Sequence, residues 1–357
     1  MTSVTTGRND YLQPYLEDAI GRADRIRFIV AFVMESGVKL LVPQLKRAAD
    51  RGVSIQLLTG LYLSVTEPSA IYYLYDKLGS AIDIRVYNES IRAFHPKSYI
   101  FDCGDEGEVF VGSSNLSLSA LTTGVEWNYR FSKSEHPNDY LRFSNTFDEL
   151  FYYCSQPVTP EVLKDYALRW KKPAFARSEE KSALLVPTTK PEPRGAQIEA
   201  LYYLKQARTE GVDKGIVVAA TGVGKTHLAA FDALPFKRVL FIAHRDEIVN
   251  QAYDVFHQLR PHCRLGFYTG TQKDEGADVY FSTVQTLSRS EHLEALPPDY
   301  FNYIIVDEFH HAAAESYRKV IDYFEPDFLL GLTATPFRMD NQDIFSLCDD
   351  NVIYEIS

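Results

Sequence analysis

The sequence has few of the residues that cross-link a chain or hold a structural metal. Only four of its 357 residues are cysteine, they are scattered, and no two form a Cys-x-x-Cys pair. This spacing excludes a disulfide framework and indicates free thiols in a reducing cytosol. The nine histidines likewise form no cluster with the spacing of zinc ligands.

Long apolar runs are also missing. No segment approaches the roughly 20 apolar residues that cross a bilayer, and the polar stretch MTSVTTGRNDYLQ at the N-terminus lacks the apolar core of a signal peptide. The sequence shows no lipidation signal and no amphipathic membrane-binding stretch. We therefore expect a cytoplasmic protein with no membrane partner.

Positive charge is in short supply. The chain has 37 Lys and Arg against 48 Asp and Glu, a formal net charge of -11. The imbalance lies mainly in residues 196–357, which hold 14 basic and 24 acidic residues, whereas residues 1–170 hold 17 and 21. Proteins that bind phosphate backbones usually show a basic footprint. Composition shows none here and leaves only a local basic groove in the first part open.

The pattern of strands and helices divides the chain into three parts. Residues 1–170 alternate helical and strand patterns, and the stretch 171–194, with four prolines and mixed charge, is typical of a linker. Residues 195–357 repeat strand, loop and helix with nearly continuous apolar strands, which indicates a parallel sheet covered on both faces. The sequence therefore predicts two α/β domains joined by a linker.

A phosphate-binding loop is predicted near the start of the second domain. The run AATGVGKT at 219–226 follows a predicted strand and precedes a predicted helix, so backbone N–H groups can point at phosphate oxygens. Lys225 can reach the β and γ phosphates of a nucleoside triphosphate, and Thr226 can hold Mg²⁺. The residues expected to contact the nucleotide here are Thr221, Gly222, Val223, Gly224, Lys225 and Thr226.

An acidic pair follows a later apolar strand. We expect Asp307 to hold Mg²⁺ through water and Glu308 to polarise the attacking water. The alternative interpretation of the two motifs is a glycine turn and an exposed acidic strand end.

These motifs, in their order, resemble those of the first RecA-like lobe of a superfamily 2 helicase of the DEAD/DEAH type. The other matching stretches are Gln197, FIAHR (241–245), STVQTL (282–287), DEFHH (307–311) and TATP (333–336). The resemblance implies ATP and Mg²⁺ as cofactors and an adenine contact for Gln197. It also implies that His244-Arg245, the 282–287 loop and TATP couple the nucleotide state to a nucleic-acid strand. A solvated helix residue is the alternative for Gln197, and a polar pair at a strand end is the alternative for His244-Arg245.

The same family has a second RecA-like lobe with an arginine finger, and the motifs of that lobe are absent from this sequence. Phosphoryl transfer depends on the charge that the finger supplies. We therefore expect ATP binding with poor hydrolysis, and a second lobe in a longer form of the protein or in trans.

The first domain carries a different motif. His95-x-Lys97-x₄-Asp102, followed by Gly-Ser-Ser-Asn at 112–115, resembles the HKD motif of the phospholipase D superfamily. The resemblance implies an α/β domain with a mixed sheet in which Asp102 packs structurally. A surface histidine at a loop–strand junction is the alternative for His95.

The resemblance also implies a metal-independent reaction. His95 would attack phosphorus to give a phosphohistidine, and Lys97 would neutralise the non-bridging oxygens. Ser113 and Asn115 would position the phosphate, and Glu126, eleven residues after Asn115, would steady His95.

We predict from these motifs a DNA endonuclease domain followed by an ATP-binding lobe. The whole architecture resembles bacterial helicase-like proteins with an N-terminal phospholipase D-like domain, and this resemblance implies a role in DNA restriction, defence or repair. The alternative is a DNA-docking module without nuclease activity, attached to half of a motor that is completed in trans. A lipid phosphodiesterase is disfavoured because no membrane-binding stretch is visible. Since the chain holds a single His-x-Lys and the superfamily pairs two such motifs across one cleft, we expect a two-fold homodimer through the first domain.

Overall fold

The computed structural model describes residues 3–61, 64–89, 93–171, 191–220, 222–270, 272–312, 314–334 and 345–356. The chain divides into two compact units, Met1–Pro187 and Thr188–Ser357. The predicted linker at 171–194 falls largely on residues 172–190, which lie outside the described part. The predicted domain limits at 170 and 195 therefore stay a prediction, and each unit is described by itself.

The first unit is built on one mixed sheet of eight strands, which confirms the predicted mixed α/β domain. The strands are β1 Val4–Thr5, β2 Arg25–Val30, β3 Ser54–Thr59, β4 Ile82–Tyr87, β5 Lys97–Cys103, β6 Glu106–Gly112, β7 Asn128–Ser132 and β8 Ser155–Pro157. The helices are α1 Gln13–Arg22, α2 Glu35–Asp50, α3 Pro68–Leu78, α4 Leu118–Thr122, α5 Pro137–Tyr153 and α6 Pro160–Arg169. The strand order is β1-β7-β6-β5-β2-β3-β4-β8.

The direction of the strands follows from their connections. Strands β2, β3 and β4 are parallel, because helices α2 and α3 carry the chain back across the sheet between them. Strands β5, β6 and β7 are antiparallel to their neighbours, and β5 lies antiparallel to β2 in the middle of the sheet. The start of β5 therefore meets the end of β2, where Val30 pairs with Lys97.

Helix α2 packs very closely on the loop that follows β6. A Cβ atom on Gly37 would lie 2.4 Å from the carbonyl carbon of Leu116, so only glycine fits there. Two backbone bonds fix the same contact: Met34 N donates to the Leu116 carbonyl at 2.9 Å, and Leu116 N donates to the Phe32 carbonyl at 3.4 Å. The first turn of α2 thereby holds the 113–117 loop in place.

Two helical glycines of this unit allow a matched stability test. We expect Gly37→Ala to destabilise the domain by about 1–3 kcal/mol, because its methyl group would overlap backbone that cannot move independently. Gly21→Ala in α1, where no atom lies within 4 Å of the new methyl group, should instead be neutral or stabilising by up to about 1 kcal/mol. Urea unfolding of the two variants measures the difference, and equal midpoints would contradict the close contact.

The second unit is built on a seven-stranded sheet in which every paired strand is parallel, as predicted. The strands are β9 Lys214–Ala219, β10 Val239–Ala243, β11 Leu265–Tyr268, β12 Val279–Thr283, β13 Tyr303–Val306, β14 Phe328–Thr333 and β15 Val352–Ile356. The helices are α7 Ala196–Thr209, α8 Lys225–Asp232, α9 Asp246–Leu259, α10 Val284–Leu287, α11 Ser290–Leu293 and α12 Glu315–Ile321. The strand order is β11-β12-β10-β13-β14-β9-β15.

The parallel order has a consequence for the site. The inner strands β10, β13 and β14 are buried throughout, and polar residues of the predicted site lie at or just after their last residues. Because all the strands run in the same direction, the loops after β9, β10, β12, β13 and β14 meet at one edge of the sheet. Those predicted nucleotide-binding residues that the structure describes lie at this edge. None of the helices in the described part of the chain is long and apolar enough to cross a bilayer.

Candidate active sites

The first candidate site begins with two side chains at the start of β5. The amine of Lys97 lies 2.6 Å from Nδ1 of His95 and donates to the His95 carbonyl at 2.9 Å. An ammonium group only donates hydrogen bonds, so this contact is a hydrogen bond when the ring nitrogen that faces the amine carries no proton. The His95 ring is exposed, and its edge meets the ring of Phe32 at 5.5 Å between centroids. The imidazole is thus oriented by its neighbours and open to a substrate.

Lys97 is the buried member of this pair. Burial lowers the pKa of the Lys97 amine below its ordinary value, while the carboxylate of Glu126 acts in the opposite direction. A cation with little water around it interacts more strongly with an incoming anion than an exposed one does. The arrangement favours a negatively charged group next to His95.

Ser113 and Glu126 lie together at the end of β6 and before β7. The Ser113 hydroxyl donates to the Glu126 carboxylate and accepts from the Trp127 backbone N–H at 3.0 Å. A Cβ atom on Gly112 would lie 2.1 Å from the Trp127 carbonyl, so the glycine lets these two chain segments approach. In the described part of the chain, the hydrogen bond of Glu126 is to Ser113 and not to His95. The proposed support of His95 by Glu126 therefore stays a prediction.

Asn115 makes a structural hydrogen bond to the backbone. Its side-chain oxygen accepts from the backbone N–H of Phe32 at 3.2 Å, the same residue whose ring contacts His95. The asparagine therefore joins the 113–117 loop to the segment after β2. The structure gives it a clear structural contact, and its contact with phosphate stays a prediction.

Asp102 lies at the other end of β5. Its two carboxylate oxygens accept from the Arg27 guanidinium at 3.0 and 2.9 Å, and Tyr140 also donates to it. The Arg27 side chain is almost wholly buried, and a buried guanidinium needs such a partner. Asp102 thus supports the packing of α5 on the sheet and takes no part in the His95–Lys97 pair.

The second candidate site begins with the loop between β9 and α8. Gly222 and Gly224 have φ values of 92° and 81°, the left-handed conformation that glycine adopts without strain. Lys225 is the first residue of α8, and its amine donates to the Ala219 carbonyl at 3.1 Å. The loop therefore ends at a helix N-terminus, which is an anion-binding position. Of the predicted contacts, Thr221 lies outside the described residues.

Gln197 lies directly on this loop. Its amide nitrogen donates to the carbonyls of Val223 and Gly224 at 3.0 and 3.3 Å. Its amide oxygen accepts from the Arg194 N–H at 3.2 Å. The residue is therefore not a freely solvated helix side chain, and its proposed contact with adenine stays a prediction.

The acidic pair follows β13 at the same edge. Asp307 is 6% exposed, and burial raises the pKa of its carboxyl, against the effect of Lys225. Glu308 has a φ of 52°, and its N–H donates to Asp307 Oδ1 at 2.9 Å. The Glu308 carboxylate lies 2.5 Å from Nδ1 of His244, which follows β10. A buried carboxylate next to a lysine and a phosphate loop is suited to a hydrated Mg²⁺.

The raised pKa of Asp307 predicts a gain in stability on removal of its charge. A group whose folded-state pKa is raised contributes stability below its unfolded-state pKa, and this contribution is lost as the pH rises through the folded-state pKa. At pH 7 the buried charge is therefore a cost, and we expect Asp307→Asn to stabilise the metal-free protein. Thermal unfolding should show the gain at pH 7 and a smaller gain as the pH falls towards the ordinary value of 3.8. A variant less stable than wild type at both pH values would contradict this account.

An open cleft of about 820 Å³ at this edge is lined mostly by polar residues. The lining residues are His244, Arg245, Asp246, Glu247, Ile248, Thr283, Gln285, Glu308 and His311. Gln285 from the 282–287 stretch donates to the His244 carbonyl at 3.1 Å. Thr333 lies 3.4 Å from Nδ1 of His310. The predicted coupling stretches thus meet the acidic motif, except that residues 335–336 of TATP lie outside the described residues.

Family models match both halves of the chain. Residues 16–151 match the model described as cardiolipin synthase, PLD-like domain, and residues 190–338 match the model described as type III restriction enzyme, res subunit. The chain joins a phospholipase D-like domain to a helicase-type domain. His95 and Lys97 fall inside the first match, and the phosphate loop and the acidic pair fall inside the second.

The curated relatives each match less than half of the chain. The type I restriction enzyme EcoAI endonuclease subunit of Escherichia coli is 28% identical over 158 residues, which is 40% of this chain and 19% of the relative. The irc3 protein of Schizosaccharomyces pombe, which carries the name of a mitochondrial ATP-dependent helicase, is 31% identical over 175 residues, 45% of this chain and 29% of the relative. The chain thus spans less than a third of the length of these relatives.

Two solved structures match part of the chain. The Sulfolobus solfataricus SWI2/SNF2 ATPase core in complex with dsDNA has a TM-score of 0.39 and 19% identity, covering 45% of this chain and 36% of that chain. Nuc, a phospholipase D family member from Salmonella typhimurium, has a TM-score of 0.35 and 20% identity, covering 43% of this chain and 97% of that chain.

Three contacts at the two sites were not predicted. Phe32 supports both His95 and Asn115, Trp127 is 70% exposed beside Ser113 and Glu126, and His311 lies beside His244 and Glu308. The sequence did contain a signal for His311, since it is the second histidine of the run DEFHH. Phe32 gave no signal of its own, because its role depends on the antiparallel pairing of β2 with β5.

Proposed function

We propose that the phospholipase D-like domain cleaves phosphodiester bonds of DNA without a metal ion, and that the helicase-type domain binds Mg·ATP as the first lobe of a motor. The observation that carries the nuclease proposal is the pairing of an exposed imidazole with a buried lysine amine 2.6 Å away. The family models and the restriction and helicase relatives support this combination.

The proposed reaction proceeds in two steps. A ring nitrogen of His95 forms a bond to phosphorus while the bond to the leaving oxygen breaks, and that oxygen takes a proton from the His95 ring of a second chain. The same second ring takes a proton from water as the water attacks phosphorus, and the P–N bond breaks to regenerate the first imidazole. Lys97 neutralises the non-bridging oxygens in both steps, which is the task that a metal ion would otherwise perform. Ser113 and Asn115 would position the phosphate.

The test of this function is nicking of supercoiled plasmid by the full chain in excess EDTA. We expect nicking that is unchanged by EDTA, and trapping of a phosphorylated protein species on rapid acid-free quenching. Absence of nicking from a well-folded protein that still binds DNA would favour a docking module without nuclease activity. Nicking that required added Mg²⁺ would contradict the metal-free reaction.

We also propose that two copies of the phospholipase D-like domain form one active centre. A phosphohistidine reaction needs one group to attack and another to protonate the leaving oxygen, and the chain has one His-x-Lys. Val125, Trp127 and Tyr129 are 78%, 70% and 44% exposed next to Glu126, an apolar surface that a second copy would cover. A closed two-fold dimer is the commonest way to bring two identical sites together.

Subunit mixing tests the dimer. After exchange with a ninefold excess of His95→Ala chains, only about a tenth of wild-type chains pair with each other, so activity per wild-type chain should fall about tenfold. Sedimentation of the full chain should show a dimer. Activity that ignores the added variant would exclude a shared centre.

For the helicase-type domain, we propose that a second RecA-like lobe, in a longer form of the protein or in trans, completes the ATP site. Gln197, the phosphate loop, Thr226 and Asp307 would hold Mg·ATP, with Glu308 as the base. Restriction, defence or repair of DNA in the cytoplasm is the setting that this combination of domains favours.

A further inference from the structure

Three side chains with metal-binding atoms meet beside the acidic motif. His244 follows β10, Glu308 follows β13, and His311 ends the short 3₁₀ turn that follows Glu308. One ligand atom from each residue lies within 4.8 Å of one from each of the others. The Glu308 carboxylate is already 2.5 Å from Nδ1 of His244, and the His244 and His311 ring centroids are 4.9 Å apart. Small side-chain rotations would therefore bring all three to one centre.

The surroundings of this cluster suit a bound ion. The cluster lines the open cleft of about 820 Å³, where water can complete the coordination. The backbone on both sides is fixed, because Gln285 donates to the His244 carbonyl at 3.1 Å and Glu308 N–H donates to Asp307 at 2.9 Å. A ligand set held by its backbone loses little conformational entropy when it binds.

We propose that His244, Glu308 and His311 bind a divalent transition-metal ion of the zinc, cobalt and nickel class. Two imidazoles and one carboxylate suit these ions, whereas Mg²⁺ prefers oxygen ligands throughout. The site is distinct from the Mg²⁺ proposed to accompany ATP, which rests on Thr226 and Asp307.

The site has a regulatory consequence, which rests on the proposed ATP-binding function. Glu308 is the proposed base for ATP hydrolysis, and a carboxylate that coordinates an ion is no longer free to accept a proton from water. A bound transition-metal ion would therefore stop hydrolysis while leaving the phosphate loop and its lysine unchanged.

Cobalt spectroscopy on the full chain tests the binding site directly. With Co²⁺ as the probe, we expect about one equivalent to give visible d–d bands, without the sulfur-to-cobalt charge-transfer bands that cysteine ligation produces. His311→Ala should weaken Co²⁺ binding at least tenfold, and His311 is exposed, so this variant should remain folded. The matched control is His257→Ala, an exposed histidine near the far end of α9. It should bind Co²⁺ as wild type does.

The outcomes separate the site from the proposed function. Equal Co²⁺ affinity in wild type and His311→Ala, or no Co²⁺ bands in the wild type, would overturn the metal site. ATP turnover at fixed Mg·ATP, titrated with Zn²⁺, should fall in the wild type and resist Zn²⁺ in His311→Ala. Equal loss of turnover in both would overturn the regulatory consequence. A wild type that does not bind Mg·ATP would count against the function of the lobe, and the cobalt spectra would still decide the binding site.

Discussion

Replacement of His95 by alanine is expected to reduce nicking of supercoiled plasmid by at least about 10³-fold, because it removes the group that forms the bond to phosphorus. Lys97→Ala should cause a loss of similar size, since its amine lies 2.6 and 3.5 Å from the two ring nitrogens of His95 and would neutralise the phosphate bound there. Both losses should appear in the rate at saturating DNA, because the two groups act on the reacting phosphate. Initial rates in EDTA measure them.

The matched control for His95→Ala is His136→Ala. His136 is another exposed histidine of the same domain, immediately before α5. We expect full nicking from this variant, and unfolding midpoints of both variants close to that of wild type, since neither ring is part of the core. Comparable nicking by wild type and His95→Ala would place the activity at another site or in a contaminant.

Replacement of Lys225 by alanine is expected to weaken Mg·ATP binding about a hundredfold. The amine sits at the N-terminus of α8, where it can turn from the Ala219 carbonyl to the phosphates. Loss of one hydrogen bond to a charged group costs up to about 3 kcal/mol, which corresponds to this change in affinity. Isothermal titration with a non-hydrolysable ATP analogue measures it.

Lys237→Ala provides the control for charge alone. Lys237 is exposed in the same domain, before β10, and its removal changes the net charge by the same amount. Its affinity for the analogue should match that of wild type. An equal loss of affinity in the two variants would show that general charge, and not the phosphate loop, holds the nucleotide.

The sequence predicted the strands of the second domain because their apolar runs are long enough to be recognised. The apolar runs at 215–220, 238–244, 278–284, 303–309 and 328–335 predict β9, β10, β12, β13 and β14 in turn, and only β9 begins outside its run, one residue earlier. Strand β11, with four residues between polar neighbours, and β15, which pairs with β9 through an irregular register, gave no such signal. Their place in the sheet is set by pairing, which a local pattern does not contain.

The candidate sites were predictable to the extent that they consist of local motifs. The phosphate loop and the His95–Lys97 pair are each contained in a short stretch of chain. The contact of His244 with Glu308 crosses 64 positions of sequence and follows from the parallel pairing of β10 with β13. The hydrogen bond from Phe32 to Asn115 likewise needs the 113–117 loop to pack on α2, which Gly37 permits. Such contacts depend on tertiary packing rather than on a local pattern.

The spacing of the HKD motif along β5 determines which face of the sheet each of its residues occupies. Lys97 and Asp102 are five positions apart, an odd number, so along a strand their side chains point to opposite faces of the sheet. One face receives the lysine of the site, and the other receives the carboxylate that holds Arg27 and Tyr140. The five-residue interval therefore fixes which face of the sheet each of the two side chains occupies. A single residue inserted between them would move every later side chain of β5 to the opposite face of the sheet.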